Sequence, residues 1–285
     1  AVALGLAASL ASGVKANFGT MTKPLHVGQC CRNGVFAALL VKNGFTANPG
    51  AFEHKQGFFE AFNGAGNYDA AKIFENWAKP LEIVDPGLGL KQFPCCGSTH
   101  MAITMMLQLV EKHGLTPPNV RRIQVYSHAQ RLPHTHRPAV NSALEAKFSV
   151  QYCVSRALMH GKVSIDHFEG DAWADAEAQR LLKLVDVAPH PTMKDKPWCA
   201  EVIVETADGR KLSEKTEYLM GRGKPNPMSE TEMRVKFEDC VSRVLPADQT
   251  ARLFEMLASF EKIRDMRDLT ALCEVPASAS SAAAE

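Results

Sequence analysis

The periodicity of the apolar residues changes twice along this chain of 285 residues, and that order limits the folds open to it. Up to about residue 87 the pattern is helical. Pro24 can occupy the first turn of a helix that runs to about Asn43, with Gly44 as its C-terminal stop. That helix is apolar on most faces, which predicts packing on several sides. Shorter helical segments are expected at 51–62 and 70–77.

Beyond residue 87, strand patterns join the helical ones. Residues 120–127 (VRRIQVYS) alternate as a half-buried strand does, and 200–206 (AEVIVET) repeats the alternation. The Asp208-Gly209 pair is typical of a hairpin turn, which predicts a partner strand at 211–216. Helices are expected at 99–113 with Ser98 as its N-cap, at 144–160 and at 173–184.

Helical periodicity returns after a turn-rich segment, GRGKPNP at 221–227, which we interpret as a linker. Ser229 and Glu232 have the spacing of a capping box, which opens a helix to about residue 244. Two further helical segments are expected at 247–260 and 264–272.

The order of these patterns predicts a fold class that is mostly α with an inserted α+β domain. The expected divisions are a helical domain over 1–87, a smaller α+β domain over 88–222, a return to the helical domain over 223–272 and a disordered tail over 273–285.

Charge and hydropathy exclude several classes of protein. Lys and Arg number 32 and Asp and Glu 31, so no global field attracts nucleic acid or a membrane surface. No apolar run reaches the length of a membrane span. We therefore expect a cytoplasmic protein that binds neither nucleic acid nor a membrane. The opening AVALGLAASLASGVK is expected to be the end of a helix rather than a signal peptide, so the chain begins inside an element, as a fragment would.

The eight cysteines are dispersed, and none forms a C-x-x-C pair. Four of the cysteines are consecutive in the sequence, as Cys30-Cys31 and Cys95-Cys96, and adjacent cysteines rarely bind zinc. We expect free thiols in a reducing compartment, mostly acting as small buried apolar groups, and no metal site.

A first candidate anion site lies in GTMTKPLHVG, residues 19–28. Lys23 immediately precedes a helix that Pro24 initiates, where backbone N–H groups and the helix dipole favour an anion. Thr20, Thr22 and His26 add donors nearby. The alternative is an exposed lysine that merely precedes a helix, and spacing alone favours that alternative.

A second candidate lies in KQFPCCGSTH, residues 91–100. Lys91 is followed by a turn at Gly97 and by Ser98 and His100 in the first turn of the next helix. His100 could donate or transfer a proton. The alternative, an ordinary capped helix with a structural histidine, is at least as well supported by the spacing.

Tyr152 and a loop with three histidines are two further polar features of the chain. Tyr152 could serve as a proton donor if nearby lysines lower its pKa, although most helical tyrosines simply pack. His128, His134 and His136 (SHAQRLPHTH) match no standard ligand spacing and have no carboxylate nearby, so a plain polar loop is favoured.

The chain has no GxGxxG, GxxxxGK[ST], GxSxG or HExxH motif, which disfavours nucleotide cofactors and a serine-hydrolase mechanism.

Three blocks carry a resemblance to a known family. GTMTKPLHVGQCCRNGVFAALLVKNGFTA resembles the signature helix of the MmgE/PrpD family. KQFPCCGSTH and EAKFSVQYCVSRALMHGKV resemble two later blocks in the right order, and GRGKPNPMSETEMRVKF resembles the return to the helical domain. The resemblance reaches to about residue 270.

The resemblance implies a helical domain with an α+β lid domain, a homodimer, no metal or organic cofactor, and a site between the domains. It matches Lys23, Lys91 and Tyr152 to family active-site positions, and His100 to a histidine of the second block. Cys96 stands where the animal decarboxylase of the family has a histidine, and this departure argues against cis-aconitate decarboxylation. Some catalytic residues of the family come from a helical portion that precedes the signature helix and is absent here.

The activity that the resemblance implies is cofactor-independent chemistry on a small polycarboxylate. The expected catalytic residues are Lys23, Lys91, His100 and Tyr152. The expected substrate-binding residues are Thr20, Thr22, His26, Cys96 and Ser98. Dehydration of a 2-methylcitrate-like hydroxy-polycarboxylate is the main expectation, which makes the chain a hydro-lyase. The alternatives are an isomerase, epimerase or decarboxylase of a related acid, and a non-catalytic fragment.

Overall fold

A computed structural model describes residues 1–221 and 226–275 of the chain. Residues 222–225 of the expected linker and 276–285 of the expected tail lie outside the described residues. The chain divides into two compact units, Ala1–Gly87 and Leu88–Glu285. Both contain helices, and the second adds one small mixed sheet, so the mixed fold class is confirmed. The expected insertion of one domain into the other stays a prediction.

The first unit is built on three helices: α1 (Val2–Ser9), α2 (Thr22–Lys42) and α3 (Phe58–Asn63). The helix expected at 51–62 is wrong over its first half, because the chain turns tightly before Gly57. A Cβ on Gly57 would lie 2.2 Å from the Ala51 carbonyl oxygen, so only glycine fits there. The helix expected at 70–77 is a single turn, Ala70–Ile73, capped by Asp69.

Helix α2 ends where the sequence predicted but packs differently. The backbone N–H of Asn43 donates to the last carbonyl oxygens of the helix, and Gly44 follows it. We expected packing on several sides, yet within the described chain Ala37 is the single buried residue of α2. Phe36 is 47% exposed and Leu39 is 52% exposed. The expectation of burial is therefore wrong for this part of the chain, because few residues of the first unit lie against the helix.

The second unit contains a four-stranded sheet in the order β2-β1-β3-β4. Its strands are β1 (Val120–Ser127), β2 (Val185–Pro189), β3 (Ala200–Thr206) and β4 (Lys211–Thr216). Strand β1 pairs with β2 in parallel, while the β1–β3 and β3–β4 pairs are antiparallel. The expected hairpin is confirmed, with Gly209 at φ 86° in its turn. Strand β2 was not predicted.

Eight α-helices accompany the sheet in the described part of the second unit. They are α4 (His100–His113), α5 (Leu132–Thr135), α6 (Ala143–Ala146), α7 (Val150–His160), α8 (Ala176–Leu182), α9 (Glu230–Val241), α10 (Ala247–Ala258) and α11 (Met266–Ala271). Helices α4 and α7 pack together, and α4 also packs against β3 and β4. Their apolar faces and the buried face of the sheet form one core cluster.

Several helix boundaries differ from the expected ones for local reasons. The helix expected at 144–160 is interrupted between α6 and α7, because Ser149 caps the Tyr152 N–H and starts a new helix. The helix expected at 173–184 begins later, since Asp175 caps the Ala178 N–H. The capping box of Ser229 and Glu232 at α9 is confirmed.

The helices nearest the C-terminus form a second, smaller core. Leu245, Leu253, Leu269 and Leu272 are its buried members. Arg243 joins these helices to the preceding part of the unit through ion pairs with Asp166 and Glu169. Among the described residues, no helix is both long and apolar enough to cross a membrane.

Candidate functional site

The loop from Lys91 to Gly97 holds its lysine in a defined place. Lys91 is exposed, and its Nζ donates a hydrogen bond to the Cys95 carbonyl oxygen at 3.3 Å. The Cys96 N–H donates to the Lys147 carbonyl oxygen at 2.8 Å, which ties the loop to the break between α6 and α7. An ammonium group has three donors, so the Cys95 contact leaves others available for an anion.

The turn that follows, Gly97–Thr99, leads into α4 without a side-chain cap. Our expectation that Ser98 caps this helix is therefore wrong. Its Oγ instead forms a hydrogen bond of 3.0 Å with Nε2 of His134. Thr99 turns its hydroxyl back onto the Cys96 carbonyl oxygen, 2.8 Å away. Backbone carbonyls of the turn accept from the first N–H groups instead, since the Thr99 N–H donates to the Cys96 carbonyl oxygen at 2.9 Å and the His100 N–H to that of Gly97.

His100 lies deeper than its place next to this turn suggested. Its side chain is 2% exposed and packs edge-on to the Phe93 ring, with 5.2 Å between the ring centroids. Its Nε2 is buried and has no hydrogen-bond partner among the described residues. A buried imidazole nitrogen without a hydrogen-bond partner is costly. The packing of the His100 ring in the core, rather than a hydrogen bond at Nε2, therefore fixes this side chain.

Two buried thiols lie next to this histidine in the core. Cys95 Sγ and Thr99 Oγ1 form a hydrogen bond of 3.2 Å. Burial raises the pKa of the Cys95 thiol, but the neighbouring Cys153 and His100 side chains outweigh it and lower the pKa overall. Burial and the neighbouring Cys95 raise the pKa of Cys153. Cys95 therefore loses its proton more readily than Cys153 does.

The cysteines as a group are free thiols, as predicted. The expectation that most are buried is wrong. Cys95, Cys153 and Cys199 are buried, Cys96 is half-buried, and the exposed members are Cys30, Cys31, Cys240 and Cys273.

Tyr152 is buried on another side of α7. Its hydroxyl donates to the His167 carbonyl oxygen at 2.6 Å and accepts a hydrogen bond from Arg156 Nε at 2.9 Å. Burial raises the pKa of Tyr152, and the charge of Arg156 does not reverse that shift. The condition under which we expected a proton donor, a pKa lowered by nearby cations, is not met here. A catalytic role for Tyr152 stays a prediction.

The first candidate site lies at the start of α2 in the first unit. Thr20 Oγ1 donates to the Asn17 carbonyl oxygen at 2.8 Å and accepts from the Thr22 N–H at 3.2 Å. Lys23 is half-buried, and its Nζ lies 4.7 Å from the centroid of the Phe18 ring. The ring of His26 lies against Gly13. A shared site for Lys23 and Lys91 stays a prediction, since the two lysines belong to different compact units.

The residue that sequence reasoning missed is His134. It lies on α5, 36 residues from Ser98 in sequence, in the loop interpreted as plainly polar. The repeated histidines of SHAQRLPHTH were the available signal, but only the tertiary fold shows which of them reaches the Lys91 loop. Within residues 1–221 and 226–275, no group of three His, Cys, Asp or Glu side chains is arranged to hold a metal ion.

Comparison with known proteins adds a context for these residues. The family model of the MmgE/PrpD C-terminal domain matches residues 93–262, and that of the MmgE/PrpD N-terminal domain matches residues 1–71. The chain is 26% identical over 284 residues to cis-aconitate decarboxylase of Mus musculus, covering 96% of this chain and 57% of that protein. The Homo sapiens cis-aconitate decarboxylase is 27% identical over 286 residues, with the same coverage.

A fungal relative gives a similar result. The cis-aconitate decarboxylase-like protein of Aspergillus oryzae is 26% identical over 290 residues, covering 95% of this chain and 58% of its own length. The chain therefore spans a little over half the length of the curated relatives that it matches.

Proposed function

The chain belongs to the MmgE/PrpD family, and on that premise we propose that it is part of a lyase that decarboxylates an unsaturated tricarboxylate resembling cis-aconitate. The observation that carries the proposal is the match to cis-aconitate decarboxylases over 95% or more of the chain. These relatives favour decarboxylation over the dehydration that we expected from the sequence. Assembly as a homodimer is part of the same proposal.

A tricarboxylate brings up to three negative charges into the site, and their desolvation must be offset by cations. Lys91 is the cation that we assign to this task in the second unit, because it is exposed and its side chain runs past Gly97, in the turn that leads into α4. Lys23 is the corresponding proposal in the first unit, at the first turn of α2. Cys96, Ser98, Thr20, Thr22 and His26 are the polar groups proposed to contact the substrate.

Decarboxylation breaks the bond between a carbon atom and its carboxylate, and the electron pair stays on that carbon atom until a proton arrives. A nearby lysine stabilises the charge while it develops, and a second group must supply the proton. The burial of His100 and the raised pKa of Tyr152 weigh against both as the direct donor, although the resemblance assigned them this work.

Dehydration of a hydroxy-tricarboxylate is kept as a second candidate because of one residue. Cys96 is half-buried in the Lys91 loop, at the position where the resemblance puts a histidine in the animal decarboxylase. A thiol has a different pKa and reach from an imidazole, so the chemistry at this position need not be the same.

Incubation of the full chain with cis-aconitate, and separately with 2-methylcitrate, tests the proposal by proton NMR of the products and by CO₂ release. We expect CO₂ and an unsaturated dicarboxylate from cis-aconitate. Lys91→Met should lower kcat/KM by about a hundredfold, the size of one lost charge contact to a developing anion. Lys183→Met, at an exposed lysine on the same unit, is the matched control and should leave turnover unchanged.

Three results would count against this assignment in different ways. Water loss from 2-methylcitrate without CO₂ release would replace decarboxylation by dehydration. Equal turnover in the Lys91→Met and Lys183→Met variants would remove Lys91 from the site. A chain that turns over neither acid would leave a related acid as the substrate, or the non-catalytic fragment.

A further inference from the structure

The contact between Ser98 and His134 joins two segments that lie far apart in the sequence. Ser98 lies at an uncapped helix start, where a serine ordinarily satisfies a backbone N–H of its own helix. Here the hydroxyl is bonded to an imidazole nitrogen 36 residues away, at 3.0 Å. The serine is 8% exposed, while the histidine is half-buried. A buried hydroxyl is thus connected to an imidazole that solvent can reach.

The segment that carries His134 is firmly held. Arg131, at the N-cap of α5, donates from Nε to the Pro197 carbonyl oxygen at 3.1 Å and places its guanidinium 3.9 Å from the centroid of the Trp198 ring. Thr135 is buried and donates its hydroxyl to the Arg131 carbonyl oxygen at 2.7 Å. These contacts fix the backbone on both sides of His134, which a proton-transfer group requires.

The Lys91 side chain approaches the turn that contains Ser98. A Cβ placed on Gly97 would be 3.9 Å from Lys91 Cε, so the lysine side chain runs past the residue that precedes Ser98. Lys91 donates to Cys95 O, only three residues before Ser98. The ammonium group, the uncapped turn and the serine hydroxyl are therefore neighbours on one loop.

We propose that Ser98 and His134 form a proton-transfer pair for the substrate bound at Lys91. The proposal rests on the proposed function, and it adds to that function the route by which the proton reaches the substrate. Ser98 is the group that contacts the substrate, and His134 is the group that resupplies its proton. Of the other two candidates, His100 is 2% exposed with no hydrogen-bond partner at Nε2 among the described residues, and burial raises the pKa of Tyr152.

The step balances in protons and electrons. After CO₂ leaves, the electron pair on the substrate carbon takes the Ser98 hydroxyl proton, so a C–H bond forms and the O–H bond breaks. The serine oxygen then takes the Nε2 proton of an imidazolium at His134, and the neutral imidazole regains a proton from water. The neighbouring ammonium of Lys91 stabilises the short-lived alkoxide.

Kinetics of the full chain on cis-aconitate test the pair. His134→Gly and Ser98→Ala should each lower kcat by about a hundredfold, within the range of one general acid–base group, and His134→Gly should leave KM nearly unchanged. Added imidazole should restore part of the kcat of His134→Gly, a result that a purely structural role would not produce. His136→Gln is the matched control, since that histidine is exposed on the same segment, and should behave as the unaltered chain.

Binding separates this proposal from the proposed function. We would follow the His134 imidazole by NMR while adding tricarballylate, a saturated tricarboxylate, to the unaltered chain and to the Ser98→Ala variant. A signal change that Ser98→Ala abolishes supports the pair even if the chain shows no turnover, in which case only the proposed function fails. Thermal unfolding checks that each variant folds.

Two results would overturn the pair. One is turnover of cis-aconitate in which His134→Gly and Ser98→Ala stay within about threefold of the unaltered chain, a difference too small for a proton-transfer group. The other is a His134 signal that saturating tricarballylate leaves unchanged. The proposed decarboxylation survives the first result, so the two failures are distinguishable.

Discussion

The two units use similar apolar sequences in opposite ways. Helix α4 of the second unit buries a face that includes Met106 and Leu109, both 0% exposed. Helix α2 of the first unit is longer and equally rich in apolar side chains, yet it buries only Ala37 within the described chain. The sheet makes the difference, because it offers α4 a broad apolar surface that the short elements of the first unit do not offer α2.

Hydrophobic stabilisation follows the apolar area removed from water rather than the apolar content of a sequence. The second unit therefore holds most of the stabilising burial in the described chain, with a core that joins α4, α7, α8 and the strands. The first unit has little of its own, and it exposes Leu25, Val27, Val35, Phe36 and Leu39 along one helix. We expect the first unit to open at a lower free energy than the second.

Thiol labelling gives the largest expected contrast between the units. Cys30 and Cys31 are exposed on α2, whereas Cys95 and Cys153 are buried in the second core. A maleimide should modify the α2 thiols at the rate of a free thiol and the core thiols about a thousandfold more slowly, because the latter react only after opening. Mass spectrometry of peptides from timed samples measures both rates at once.

The result that would break the contrast is slow labelling of Cys30 and Cys31 in the native chain. It would mean that α2 is covered in solution, by a second copy of the chain or another partner. Labelling in denaturant is the control, since all four thiols should then react alike.

Truncation of matched leucines gives the next largest effect. Leu109→Ala removes a fully buried side chain from α4 and should lower the free energy of unfolding of the second unit by about 2–5 kcal/mol. Leu39→Ala, at a 52% exposed position of α2, should change the free energy of unfolding of the first unit by less than about 0.5 kcal/mol. Denaturant titration in a Trp77→Phe background follows Leu109→Ala through Trp173 and Trp198, both in the second unit, and circular dichroism with Trp77 fluorescence follows Leu39→Ala in the first unit.

Leu39→Ala is also the variant that can contradict the comparison. A loss of several kcal/mol there would show that the exposed face of α2 is buried in the working assembly. The same loss should then depend on protein concentration, because a partner stabilises by mass action.

The contrast between the units also explains which parts of the fold were predictable. Strands β1, β3 and β4 follow from alternation and from a two-residue turn, which are local signals. Strand β2 has only five residues and pairs with a strand about 60 residues earlier, as in the Ile123–Val185 pair. The broken helix at Ser149 and the exposure of α2 likewise depend on tertiary neighbours that periodicity does not record.

The candidate site likewise has a part that the sequence could predict and a part that it could not. Lys91 and its uncapped turn could be found from residue types at a helix start, because an anion site of that kind is local. The burial of His100 and the engagement of Tyr152 by Arg156 follow from packing, and neither has a sequence signature. The bond between Ser98 and His134 spans 36 residues, so no spacing rule could have selected that histidine from its neighbours.

Acid should weaken the second unit through His167, an effect smaller than the leucine truncation. Burial, and then the charges of His160 and Arg156, lower the pKa of His167 to about 4 from its ordinary 6.5. Between these values the unfolded chain binds a proton that the folded chain does not. Stability is therefore complete above about pH 6.5 and falls as the pH drops towards 4, by about 1–2 kcal/mol for a partly screened group.

The His167→Gln variant isolates this contribution. It should reduce the loss of unfolding free energy between pH 6.5 and 4.5, measured by denaturant titration in the Trp77→Phe background. An unchanged slope would assign the acid sensitivity to other groups. Asp175 is not one of them in this window, since its pKa is lowered from 3.8 by the Ala178 N–H and Arg156, so it titrates at still lower pH.

Substitutions at helix N-caps have the smallest expected effect on stability, and they can be compared between the two units. Ser229 has extended backbone angles at the start of α9 and accepts the Glu232 N–H, so Ser229→Ala should cost about 1 kcal/mol. Met21 holds the same position before α2, but its φ of −62° and ψ of −20° are helical. A serine at Met21 therefore cannot reach the N–H groups as a cap, and Met21→Ser should change stability by less than about 0.5 kcal/mol. Hydrogen exchange of the first amides in α2 and α9 measures both, and a marked slowing in Met21→Ser would show that the start of α2 adopts cap geometry in solution.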